Sequence, residues 1–219
     1  IEKKVRAGDK EAKLIFEIIL KVIDQLEDGK PAREINFSKD DFFIVKKLNL
    51  LTFKPVLFVA NVDEESSVDG NDYSHELTKL GASKGIKTIT MSAKLESEIS
   101  EISNIEERNE FLIALNLVES GLEKLAKAGY DLLDLVTYFT AGPKEVRAWT
   151  IKKGTIAKDA AGKIHDDFSR GFIAAETISF NDYIKLGGEQ KARENGYIRT
   201  EGKEYIVIDG DIIVFRFNV

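Results

Sequence analysis

The chain has 219 residues, 43% of them hydrophobic and 32% charged, with two His, no Cys and a formal net charge of −6. That composition is of a folded globular protein of one large or two small domains, and it excludes disulfides, thiolate metal sites and thiol nucleophiles. No apolar run of about 18 residues is present, which excludes a membrane-spanning helix, and an acidic excess over residues 1–135 does not suit a chain that wraps nucleic acid along its whole length.

The first residues, Ile1-Glu2-Lys3-Lys4-Val5-Arg6, have no apolar core behind their charges, so they do not form a signal peptide. They also lack an initiator Met, and the expectation is a chain that begins partway through a longer protein. Residues 9–28 read as an amphipathic helix with Leu14, Ile18, Val22 and Leu26 in one row and Ile15, Ile19 and Ile23 beside it. Gly29-Lys30-Pro31 ends it, and Ser38, with Asp41 three residues on, starts a second helix. The pair reads as an antiparallel helical hairpin.

Strand and helix then alternate. Pro55 to Ala60 is a short, continuously apolar run, as expected of a buried strand. A helix from Asp72 to Lys84, a strand at 87–91 and helical segments near 96–116 and 119–134 follow. From Val136 the texture is that of a compact α+β domain. It has a hairpin over 136–150, a helix from Asp159 to Phe168, a strand at 172–178 and a second hairpin in which Tyr205–Ile208 and Ile212–Phe215 flank Asp209-Gly210.

The chemistry sits after the first two strands. Asn61-Val62-Asp63-Glu64 follows the first, where a P-loop GTPase carries Asn-Lys-x-Asp and its Asp accepts from guanine N1 and N2. Glu64 stands at the position of that Asp, and one further C–C bond breaks the bidentate contact. Adenine presents an acceptor at N1, which a carboxylate repels, and Asn61 can pair with its N6/N7 edge. A strand-terminal Asn alone is a common turn residue. Ser92-Ala93-Lys94 follows the second strand, as does the Ser-Ala-Lys loop that closes over the base in GTPases. Both loops in order, separated by one helix, are far more specific than either.

Asn49 to Glu64, Tyr138 to Trp149, Phe172 to Phe180 and Phe215-Arg216-Phe217-Asn218-Val219 resemble the corresponding segments of Obg-like ATPases of the YchF type. The resemblance covers nearly the whole chain. It implies an α/β fold in three parts: the end of a helical, coiled-coil arm (1–48), the C-terminal part of a G domain (49–135) and a ubiquitin-like, β-grasp TGS domain (136–219). It further implies a cytoplasmic parent protein that binds and hydrolyses ATP (or GTP) with Mg2+ and associates with the ribosome or RNA through the TGS domain and the arm. Asn61, Val62, Glu64, Ser92, Ala93 and Lys94 map to its base-binding loops.

A P-loop, which such hydrolysis requires, is not read in this chain. Gly81-Ala82-Ser83-Lys84-Gly85-Ile86-Lys87-Thr88 has the wrong spacing and leads into a strand. The chain alone is therefore expected to be inactive, with no catalytic residue and no metal site of its own. Lys144, Arg147, Lys152 and Lys153 lie on or beside one hairpin and are a candidate RNA- or ribosome-facing surface. An ordinary mixed surface is the competing reading. A second functional reading follows from them: an RNA- or protein-binding TGS module on a catalytically silent G-domain remnant. The sequence indicates no oligomeric state.

Overall fold

The computed structural model describes residues 1–142 and 145–218. Internal contacts divide the chain into two units, Ile1–Phe58 and Val59–Val219.

In the first unit a short helix α1 (Glu2–Arg6), which the sequence did not announce, precedes α2 (Lys10–Glu27). Asp9 caps α2 by accepting the Ala12 N–H at 3.0 Å. Ser38 does the same for α3 (Lys39–Lys47), accepting from Asp41 N–H at 3.2 Å. Ile18, Val22, Ala32 and Val45 form the buried cluster, with Ile35, Phe37, Ile44, Leu50 and Phe53 packed on it. Of the predicted row on α2, Ile18 and Val22 are buried, whereas Leu14 and Leu26 are exposed.

The second unit begins within β1 (Phe58–Asn61), which is followed by α4 (Asp72–Lys84) and β2 (Thr88–Met91), with β1 and β2 paired as a two-stranded sheet. The first strand starts later than its apolar run suggests: residues 55–57 lie outside it, and Pro55 has no N–H to give to a ladder. Gly81 to Lys84 close α4 and Gly85, at φ 65°, is its left-handed cap, so the P-loop-like spacing there is a helix end. The helix expected near 96–116 is two, α5 (Ala93–Glu101) and α6 (Ile105–Ala114), because Asn104 starts a new helix by accepting from Glu106 N–H at 2.8 Å. Next comes α7 (Gly121–Leu132), with Ser120 and Glu123 in a reciprocal capping box.

β3 (Leu135–Ala141) and β4 (Val146–Lys152) pair antiparallel from Leu135 opposite Lys152 to Ala141 opposite Val146. α8 (Ala157–Ile164) and α9 (Asp166–Arg170) follow as two helices, since the helix expected over 159–168 breaks at His165. Then come β5 (Phe172–Ser179), α10 (Phe180–Leu186), α11 (Glu189–Glu194), β6 (Arg199–Glu201) and β7 (Asp211–Phe217). The five strands lie in the order β4-β3-β7-β5-β6, mixed because β7 runs parallel to β3 and antiparallel to β5.

The expected hairpin about Asp209-Gly210 is not formed. Residues 205–208 make no ladder with β7; Ile206 forms an isolated bridge with Ile156 instead. Asp209 Oδ1 accepts the Thr137 N–H at 2.7 Å and Gly210 N–H donates to Thr137 O at 2.8 Å, which steers the chain beside β3. One sheet face packs on α8 through Tyr138, Ile151, Ala157, Ala160, Ala161, Ala175, Ile213 and Phe215. The alanines let the helix approach closely, and the Tyr138 hydroxyl donates to Ala160 O at 2.8 Å. On the opposite face Ile178 and Ile212 meet Ala192 of α11.

Candidate nucleotide-base site

The loops after β1 and β2 come together. Val62 N–H donates to Met91 O at 3.0 Å, extending the pairing one residue past β1. Asn61 Oδ1 then accepts the Ala93 N–H at 2.9 Å. A backbone N–H only donates, so the amide oxygen faces Ala93 and the Asn61 Nδ2 donors are left for another group. The two-point pairing with adenine that Asn61 invites is thereby narrowed, because its oxygen already holds the second loop.

Glu64 forms an ion pair with Lys94, linking the loops a second time. The hydrogen bond and charge of Glu64 raise the Lys94 ammonium above its ordinary value. Both side chains stay largely in water, so the pair contributes little to folding; its consequence is local neutralisation of the carboxylate. Asp63 points elsewhere, accepting from Ser66 N–H at 2.8 Å, and Glu64 O accepts the Ser67 hydroxyl at 2.7 Å. These two turns shape the loop without using the Glu64 carboxylate. Ser92 is buried and caps α5, accepting from Leu95 N–H at 3.4 Å.

The sequence reading passed over Glu96. It is 6% exposed, and its carboxylate accepts Gly121 N–H at 2.5 Å and Leu122 N–H at 3.0 Å. A Glu one helical turn beyond Ser92 carries no signal by itself, since charged residues on short helices are usually solvated. Only the fold puts it against α7.

Among the described basic residues of the hairpin, Arg147 and Lys152 do not share one face. Arg147 and Lys152 differ by an odd number of positions on β4 and therefore point to opposite faces. The Arg147 guanidinium lies 4.1 Å from the centre of the Trp149 ring. Lys152 Nζ donates to Leu133 O at 2.5 Å, capping the end of α7. Lys153 borders a cleft of about 990 Å³ between α7, the β3–β4 face and the 206–210 turn. Lys144 lies outside the described residues. Asp209 and Asp211 hold backbone N–H groups, those of Thr137 and Ile208. Among the described residues no group of three or more His, Asp or Glu side chains is placed to hold a metal ion, and no helix is long and apolar enough to cross a membrane.

Comparison with known proteins sets these loops in context. A family model named YchF-GTPase_C, described as a protein of unknown function (DUF933), matches residues 135–218. The chain is 48% identical over 221 residues to a "Ribosome-binding ATPase YchF" of Bacillus subtilis and 46% identical over 219 residues to one of Escherichia coli O157:H7. All of this chain and 60% of each relative are covered, so the chain spans about 60% of the length of these curated relatives. Among solved structures it resembles the Schizosaccharomyces pombe YchF GTPase with a TM-score of 0.77 and 36% identity, over 96% of this chain and 55% of that one.

Proposed function

The chain belongs to the YchF family, and on that premise we propose that it carries the base-recognition half of the nucleotide site of a ribosome-binding ATPase. The observation that carries the reading is the double link between its two loops, Asn61 to Ala93 and Glu64 to Lys94. With its Oδ1 turned to Ala93, Asn61 offers Nδ2 as the donor to N7 of a purine. Glu64, reaching further than an Asp and neutralised by Lys94, neither makes the two-point contact that guanine needs nor opposes adenine N1 with a bare charge. Ser92 and Ala93 present backbone beside the base, and Val62 offers an apolar edge where GTPases carry Lys.

In this reading ATP (or GTP) phosphates and Mg2+ are met by segments outside the chain, and hydrolysis needs them. Residues 1–48 are the end of a helical arm, 49–135 the last part of a G domain and 136–219 a TGS domain. The strand order β4-β3-β7-β5-β6 with α8 across one face supports a β-grasp for the last of these. Ribosome binding, and the cytoplasmic location that goes with it, follow the names of the relatives. An RNA- or ribosome-facing role for Arg147, Lys152 and Lys153 has to accommodate the opposite faces of β4. Calorimetric titration of ATP and GTP into the full-length protein tests the reading. Tighter binding of ATP is expected; no binding of either nucleotide would leave the loops a scaffold.

A further inference from the structure

The first turn of α7 meets the second base loop on both sides of Ser92. A Cβ on Gly121 would lie 2.6 Å from Met91 Cβ and 2.8 Å from Glu96 Oε1, so only a bare Cα fits there. Met91 directly precedes Ser92. Glu96 lies one helical turn after it, and its own N–H donates to Ser92 O at 3.0 Å. The Glu96 carboxylate meanwhile satisfies two of the orphan N–H groups that open α7, where the helix dipole favours negative charge. One residue thus holds the loop with its backbone and α7 with its side chain.

The other end of the same helix is fixed to β4: Tyr130 Oη lies 3.0 Å from Thr150 Oγ1 and Lys152 Nζ reaches Leu133 O, and just past both elements Lys153 N–H donates to Asp134 O at 2.8 Å. α7 is 12 residues long, so it joins these two sets of contacts as one rigid element.

We propose that Glu96 is a positioning residue of the base site, and that through it α7 ties the Ser92–Lys94 loop to strand β4. The inference rests on the reading of Asn61–Glu64 and Ser92–Lys94 as base loops. Ala93 N–H orients the Asn61 amide, so a loop released from α7 leaves that amide unaimed, and the preorganisation of the base contact is lost. Glu96 acts through the backbone N–H groups of Gly121 and Leu122 and the Ser92 carbonyl.

The test compares Glu96→Gln with Asn61→Ala in the full-length protein, titrating ATP and inorganic tripolyphosphate and following amide exchange. Gln keeps the shape but turns an NH2 toward one of the two N–H donors. Glu96→Gln is expected to weaken ATP roughly tenfold, the order of one lost charge-assisted hydrogen bond, to leave tripolyphosphate binding unchanged, and to speed exchange at Ala93 and Lys153. If Asn61→Ala weakens ATP and Glu96→Gln does not, the positioning role is overturned while the base loops stand. If neither does, the base-loop reading falls and the proposal with it. Equal loss of ATP and tripolyphosphate on Glu96→Gln would mean general disruption and would overturn the role, and unchanged exchange at Lys153 would overturn the tie to β4.

Discussion

Asn61 Oδ1 accepts the Ala93 N–H at 2.9 Å, joining residues 32 positions apart at the ends of two paired strands. The bond fixes which side of the Asn61 amide is left for a ligand, and it makes two sequence motifs one structural unit.

The Glu64–Lys94 pair gives the first prediction. Lys94→Ala leaves the carboxylate bare beside the base, and ATP affinity of the full-length protein is expected to fall several-fold, on the order set by one nearby charge in water-rich surroundings. Glu64→Gln in the same protein removes the bare charge and is expected to recover most of that affinity. Calorimetry on the single and double variants measures both, and a double variant no better than Lys94→Ala would contradict the neutralising role. Thermal stability should be unchanged in all three, since both groups are solvent-exposed.

Charge reversal at Arg147 and at Lys152 should differ. Lys152→Glu removes the cap on Leu133 O and is expected to lower stability as well as any ribosome association. Arg147→Glu loses the contact of its guanidinium with the Trp149 ring, worth about 0.5–1 kcal/mol at an exposed site, and should act mainly on association. Co-sedimentation with ribosomes beside a melting curve separates the two. Equal loss of stability in both variants would contradict the assignment of Lys152 as the cap.

The legible parts of the fold were those with local signals. Ser38 caps a helix where its residue type and the spacing to Asp41 say it should, and α4 runs from Asp72 to Lys84 as its pattern suggests. The meeting of the Asn61–Glu64 and Ser92–Lys94 loops was legible because each motif directly follows a strand, and the two strands pair. The turn at Asp209-Gly210 misled because its dipeptide is a hairpin signal, yet here Asp209 and Gly210 bind Thr137 of another strand. Helices α10 and α11 were missed because they are seven and six residues long and separated by Gly187-Gly188. Glu96 was illegible for a different reason: its partners, Gly121 and Leu122, lie 25 and 26 positions away.

Tyr138 tests the packing of the C-terminal sheet on α8. Its side chain is fully buried, burial pushes its hydroxyl far above the ordinary phenol range, and that hydroxyl donates to Ala160 O. Tyr138→Phe leaves a buried carbonyl without this donor and should cost about 1–2 kcal/mol. Urea denaturation measures it, and a neutral result would mean that the carbonyl finds another partner.

Glu176 gives the pH dependence. It is 7% exposed and bonded by Arg193 at 2.8 Å and by Arg216, and the Arg193 hydrogen bond leads in holding its carboxyl below the ordinary value. A carboxylate lowered in the folded state contributes stability that is fully present above its unfolded pKa of about 4.3 and is lost as pH falls through the folded value. Glu176→Gln should therefore cost about 1–3 kcal/mol at pH 7 and progressively less as pH falls through the folded value of the carboxyl. Denaturation curves across the acid range check the convergence; a cost that stays constant with pH would contradict it.

The most direct test of the base-site account is nucleotide selectivity in the full-length protein, native against the double variant Val62→Lys plus Glu64→Asp. The native protein is expected to prefer ATP, and the double change, which restores the spacing guanine requires, to shift preference toward GTP. Unchanged selectivity, measured by calorimetric titration of both nucleotides, would show that Val62 and Glu64 do not read the base.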